Sequence, residues 1–138
     1  MSLGKSAISV AGGDAQDQTT LICLLNLIEF GILPRESVMA PRFHTGHHEG
    51  SFDPNPDRRE TFGNVLRLGI EDVVDEKVIA ELTKRGHKIR TFSGFNSRPV
   101  MLYVDPETGI MYAAGDTRAG RHAAVLESNT PLSPGGGK

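Results

Sequence analysis

The segment Ala7-Ile8-Ser9-Val10-Ala11-Gly12-Gly13-Asp14 constrains this chain more than any other. Ala7 to Val10 alternates like a short strand, and it runs into a bend where two residues without side chains let the backbone approach something closely. The residues beyond are apolar at helical spacing: Leu21, Leu24, Leu25 and Ile28 recur at three and four residues, and Ile22, Leu27 and Phe30 widen the stripe. This pattern predicts a helix over Gln18–Phe30, capped near Asp14, stopped at Gly31 and buried on most sides.

Downstream, Pro34 suits the first turn of a second helix, Arg35–Ala40, which Pro41 closes. From His44 to Asn64 the periodicity lapses and Gly46, Gly50, Pro54 and Pro56 intervene, which predicts a long connection. Val65–Leu68 reads as a strand. Asp75 opens a helix with Val78, Ile79 and Leu82 on one face, ended by Gly86, with Lys84 and Arg85 suited to its C-terminal dipole. The acids Glu71, Asp72, Asp75 and Glu76 fit the electrostatic preference at that helix's start. Strands are expected at Lys88–Phe92, Val100–Val104 and Ile110–Ala114, the last two joined across Asp105-Pro106-Glu107-Thr108-Gly109. No internal repeat or heptad is present, which leaves a layered α/β domain.

Composition removes whole classes of function. A length of 138 residues supports one core. Fifteen Lys and Arg against seventeen Asp and Glu give a net charge of −2, too balanced to draw in nucleic acid or an anionic membrane. The single Cys23 sits in an apolar run, so an intrachain disulfide is impossible and a buried, inert thiol is expected. No apolar stretch approaches the roughly 18–20 residues of a membrane span, so a soluble, cytoplasmic protein is the default. Residues 1–5 read as a disordered cloning remnant, 6–127 as the domain, and 128–138, rich in Gly and Pro, as a flexible tail.

Several landmarks occur in an order that resembles one family. Ala11-Gly12-Gly13 precedes the long apolar helix ending in Asn26 to Gly31; then come Ala40-Pro41-Arg42-Phe43-His44, Arg85-Gly86-His87 and Tyr112-Ala113-Ala114-Gly115-Asp116-Thr117-Arg118. From about Ala7 to Leu126 the chain resembles the C-terminal part of the gamma-glutamyltransferase (gamma-glutamyltranspeptidase) catalytic subunit. It departs where Ala11 and Thr117 stand in place of the family's usual prolines, and the stretch Gly46 to Phe62 resembles a divergent branch.

The resemblance implies an α+β layered domain, part of an N-terminal-nucleophile hydrolase αββα sandwich with mostly antiparallel sheet and helices on one face. It implies a self-cleaved precursor whose exposed threonine attacks a gamma-glutamyl carbonyl, its own amine acting as base. Gly12 and Gly13 then correspond to the backbone N–H donors of the oxyanion hole. The nucleophile belongs to polypeptide upstream of this chain, so the chain alone is expected to be inactive. The implied partner is that upstream half or large subunit, the substrate is glutathione-like, and no cofactor or metal is implied. No residue of this chain is assigned to substrate binding. A non-catalytic interaction module built on the same scaffold is the alternative.

Other groups have plainer readings. Thr19 and Thr20 fall inside the first helix, where no free amine can form, so their hydroxyls are expected to bond carbonyls one turn earlier. His44, His47, His48 and Glu49 are conceivable zinc or nickel ligands, but their spacing matches no closed site. Arg42 can clamp a carboxylate of the protein or of a substrate, with pairing inside the protein favoured. Arg118 and Arg121 are expected to pair with local acids at the surface. If half of a two-sheet core is absent, apolar faces around Val100 to Ala114 are left wet and drive self-association.

Overall fold

A computed structural model describes residues 4–47, 57, 66–94 and 97–125. The expectations for His48, Glu49 and the tail from 128 onward lie outside those residues. Among the described residues, six strands and three α-helices are formed: β1 (Lys5–Ala11), α1 (Gln16–Ile28), α2 (Pro34–Met39), β2 (Phe43–Thr45), β3 (Arg67–Glu71), α3 (Glu76–Lys84), β4 (Lys88–Phe92), β5 (Arg98–Val104) and β6 (Met111–Gly115). The strands make two three-stranded sheets, ordered β1-β5-β6 and β2-β3-β4.

The first sheet is antiparallel throughout, with Ile8 opposite Met101 and Met101 opposite Ala114. Side chains alternate across a strand, so Ile8, Met101 and Ala114 share one face. That face carries the core, where Met101 and Ala114 pack with Cys23 of α1 and Val38 of α2, and Ile8, Leu27 and Met39 close around them. The opposite face holds Ala7, Leu102, Val104, Met111 and Ala113, of which Leu102 and Met111 are 44% and 53% exposed. The expected wet apolar face is therefore present on this sheet.

The second sheet is mixed, within a domain whose strand pairs are mostly antiparallel, as expected. Its β2–β3 pair is antiparallel, but β3 and β4 run parallel, because α3 carries the chain back to the starting end of the sheet. Strand β2 was not anticipated: Phe43-His44-Thr45 is short and lies where the long connection was expected to begin. Strand β3 ends three residues beyond the expected Leu68, and Leu66 enters it with φ 64°.

Helix α1 both starts and ends two residues before the expected span. Asp14 is not its cap. It lies in a 3-10 turn, Gly13–Ala15, and the N-cap residue is Ala15, with no side-chain cap. Nor is α1 buried on most sides: only Thr19 and Cys23 are buried, and Leu21, Leu25 and Ile28 are exposed. A helix lying on one sheet buries a single stripe, and the widened apolar band leaves the rest of it uncovered. Helix α3 agrees with its expected start, since the Asp75 carboxylate accepts the Lys77 N–H at 2.8 Å.

Candidate functional site

The diglycine bend follows directly on β1. Gly12 has φ 157° and Gly13 φ 60°, conformations that a Cβ would oppose, so the pair is required by the bend itself. The Gly12 carbonyl accepts the Ala15 N–H at 3.4 Å. Among the described residues, no turn or loop hydrogen bond is donated by the N–H of Gly12 or Gly13. Gly12 is exposed. Three clefts among the described residues are lined elsewhere: one by His44 and Arg90, one by Leu33 and Met111, and an apolar one of about 350 Å³ between α3 and the second sheet, reaching Phe43, Ile70 and Leu82.

Close to this bend in sequence, but tied across the fold, Thr19 and Ser97 are both buried and share a hydroxyl–hydroxyl bond of 2.6 Å. This corrects the expected carbonyl partner one turn back. Ser97 immediately precedes β5, so the bond fixes α1 to the strand on which β1 pairs.

The strongest electrostatic feature is a buried knot of two arginines and two carboxylates. Arg42, Glu71 and Asp116 are each almost completely buried. Arg42 donates from Nη1 to the Val38 carbonyl at 2.6 Å and from Nη2 to Asp116 Oδ2 at 2.6 Å and the Ser97 carbonyl at 3.4 Å. Its Nε faces Glu71 Oε1 at 3.7 Å, an ion pair too long for a hydrogen bond, and these two atoms have no hydrogen-bond partner. Arg118 grips Asp116 as a fork, Nε to Oδ1 at 3.1 Å and Nη2 to Oδ2 at 3.0 Å, and reaches Glu71 Oε2 from Nη1 at 3.1 Å. The Arg118 N–H adds a bond of 3.0 Å to Asp116 Oδ1, capping the 3-10 turn Thr117–Ala119.

Three expectations are revised here. Arg42 pairs inside the protein, as favoured, but through one nitrogen per carboxylate; the bidentate clamp is Arg118. Arg118 is only 30% exposed and belongs to this knot rather than to the surface, whereas Arg121 joins it through its backbone, its N–H donating to the Asp116 carbonyl at 3.0 Å. Glu71 is the last residue of β3 and is consumed by the knot, so its role is not that of a helix-dipole acid. Burial pushes the Asp116 carboxyl up, but hydrogen bonds and positive charge from Arg118 and Arg42 outweigh it and hold the group below the usual carboxylate range. The bond to Asp116 raises Arg118 further above its already high value.

His44 lies in β2 with its ring against Gly69, where a Cβ would meet His44 Nε2 at 2.7 Å, and 5.3 Å from the ring of Phe92. Among the described residues no three His, Cys, Asp or Glu side chains come together as a metal site. Among the same residues, no helix is long and apolar enough to cross a membrane.

Two sheets with helices on the first, a glycine bend at the end of β1 and an arginine–carboxylate knot closing the C-terminal segment describe a mixed, layered α+β domain. The gamma-glutamyltranspeptidase family pattern matches residues 3–126, and the chain belongs to that family. Helicobacter pylori gamma-glutamyltranspeptidase, solved as a mutant, is 27% identical with a TM-score of 0.61, over 82% of this chain and 53% of that one. Pseudomonas nitroreducens gamma-glutamyltranspeptidase, complexed with L-DON, has a TM-score of 0.66 at 17% identity, over 89% and 55%. A cephalosporin acylase from Bacillus halodurans has a TM-score of 0.69 at 24% identity, over 88% of this chain and 20% of that one. The chain thus spans from a fifth to about half of these structures. No curated protein matches it.

Proposed function

We propose that this chain is the C-terminal domain of a gamma-glutamyltransferase-like enzyme of the N-terminal-nucleophile kind. In this reading, the antiparallel sheet β1-β5-β6 is one of the two inner layers of an αββα sandwich. Its bare face, with Leu102, Val104 and Met111, is the face on which the other layer, from an upstream half or large subunit, packs.

The observation that carries the reading is the bend at Gly12 and Gly13, with both residues at positive φ and both N–H groups unspent in turns and loops among the described residues. Two adjacent main-chain donors in a rigid bend cost no reorganisation when charge develops on a carbonyl oxygen, and such donors supply a large share of acyl-transfer catalysis. The attacking group is an N-terminal threonine on the upstream polypeptide, its own amine taking the hydroxyl proton. The gamma-glutamyl group of a glutathione-like donor passes to the threonine oxygen as its amide C–N bond breaks, the leaving amine takes the proton held by the threonine amine, and the resulting ester is then cleaved by water or an amine, which restores the hydroxyl. Gly12 and Gly13 hold the oxyanion of both tetrahedral intermediates.

The test is to combine the chain with the upstream segment bearing the threonine and follow release of p-nitroaniline from a gamma-glutamyl anilide. Activity that falls by about 10²–10³ on Gly13→Ala, without loss of assembly, is the expected result. A folded, matured complex that remains inactive overturns it.

The same bare sheet face favours a second reading, a non-catalytic interaction module. In that case the chain alone self-associates or captures the upstream half without any turnover. A clean monomer at high concentration in light scattering argues against association through this face.

A further inference from the structure

We infer that the cleft on the second sheet between His44, Arg67, Gly69 and Arg90 is a binding site for a small dianionic oxyanion, a phosphate or a compact dicarboxylate. His44, Gly69 and Arg90 form one row across β2, β3 and β4, since His44 stands opposite Gly69 and Gly69 opposite Arg90. Partners in register share a face, and because Gly69 has no side chain the His44 imidazole lies across it, beside the Arg90 strand. Two residues along the same face, Arg67 stands opposite Lys88. The cleft these residues surround is about 180 Å³, with Gly46 on its rim, and suits a compact ion rather than an extended ligand.

Charge is what singles this face out. Arg67, Lys88 and Arg90 are exposed, and none forms an ion pair or side-chain hydrogen bond among the described residues. Like charges directly opposite each other on paired strands repel. The carboxylate further along the same face, Glu71, is buried and already taken by Arg118 at 3.1 Å, so it does not neutralise them. A dianion seated in the cleft beside the His44 ring is flanked by Arg67 and Arg90, two guanidinium groups of the kind that suits phosphate and carboxylate oxygens. Gly69 matters because any side chain there would strike the His44 ring and displace it from the wall of the cleft. The site uses no residue of the diglycine bend and does not depend on gamma-glutamyl chemistry.

Sodium phosphate and sodium succinate, each titrated into the full chain at neutral pH with sodium chloride holding ionic strength constant, test this by calorimetry and amide chemical shifts. Saturable binding of either is expected, weakened roughly tenfold by Arg67→Gln and by Arg90→Gln, with no change in the Arg85→Gln control on α3. Phosphate alone binding identifies a phosphate ligand; succinate alone or both identifies the wider oxyanion class. Circular dichroism monitors folding, and because all three cations are exposed, Lys88→Gln gives a third variant should either arginine replacement fail to fold. A response that does not saturate, or equal affinity in the Arg67→Gln/Arg90→Gln double variant, overturns the assignment.

Discussion

Replacing Asp116 with alanine removes the carboxylate on which both arginines of the knot converge. Four hydrogen bonds end there: Arg42 Nη2 at 2.6 Å, Arg118 Nη2 at 3.0 Å, Arg118 Nε at 3.1 Å and the Arg118 N–H at 3.0 Å. Their gross energies do not add, because each replaces a bond to water in the unfolded chain. The dominant cost is the charge left behind. Arg42 is almost completely buried, and its remaining carboxylate, Glu71, stands 3.7 Å from Nε, too far to bond. Removing one partner of such a buried pair costs about 3–5 kcal/mol. That is a large part of the roughly 5–15 kcal/mol available to a domain. Asp116→Asn keeps the shape and one acceptor oxygen, so a smaller loss of about 2–3 kcal/mol is expected, from the missing charge and from an amide NH2 that faces an arginine donor. Urea denaturation followed by circular dichroism reads both as shifts in midpoint at constant slope. The built-in control is the exposed pair Arg85–Glu81, 2.9 Å apart on α3, where Glu81→Ala should cost no more than about 0.5 kcal/mol. If Asp116→Ala shifts stability as little as Glu81→Ala does, the knot does not hold the C-terminal segment to the sheets, and the reasoning fails.

The pH dependence has a definite sign. Because the folded Asp116 carboxyl is held below its ordinary value, its contribution is complete above the usual carboxylate pKa of about 4 and is lost as pH falls through the lower folded value. Between pH 7 and pH 3 the gap between the midpoints of wild type and Asp116→Ala should begin to narrow once pH falls below the usual carboxylate pKa; a gap that stays constant contradicts this. Burial pushes the Cys23 thiol up, and the residue is fully enclosed in the core, so iodoacetamide at pH 8 should label it only through opening of the fold, far more slowly than in urea. Labelling at the free-thiol rate in native buffer would show that α1 does not close over it. Asp75→Ala removes the cap of α3 and should lower stability by about 1 kcal/mol, read by thermal melting, with no effect on phosphate binding.

Much of the architecture is written in short-range chemistry. Gly12-Gly13 specifies a bend because only glycine accepts both conformations, Asp75 and Gly86 bracket α3 by satisfying its ends, and Asp105 to Gly109 turns β5 into β6, with the Asp105 carboxylate accepting the Glu107 N–H at 2.9 Å. Each depends on neighbours a few residues away, so the letters suffice. The order of landmarks likewise identified the family before any coordinate did.

Other features answer to partners far along the chain. Nothing near Glu71 distinguishes an acid that starts a helix from one buried against Arg118, 47 residues on, and nothing near Arg42 tells that its counter-ion is Asp116, 74 residues away. The parallel pairing of β3 with β4, and with it the row His44, Gly69 and Arg90, appears only once α3 has folded back. Local preference fixes φ, ψ and caps; burial of charge and registry between strands are set by which distant segments meet, and that is a property of the folded chain alone.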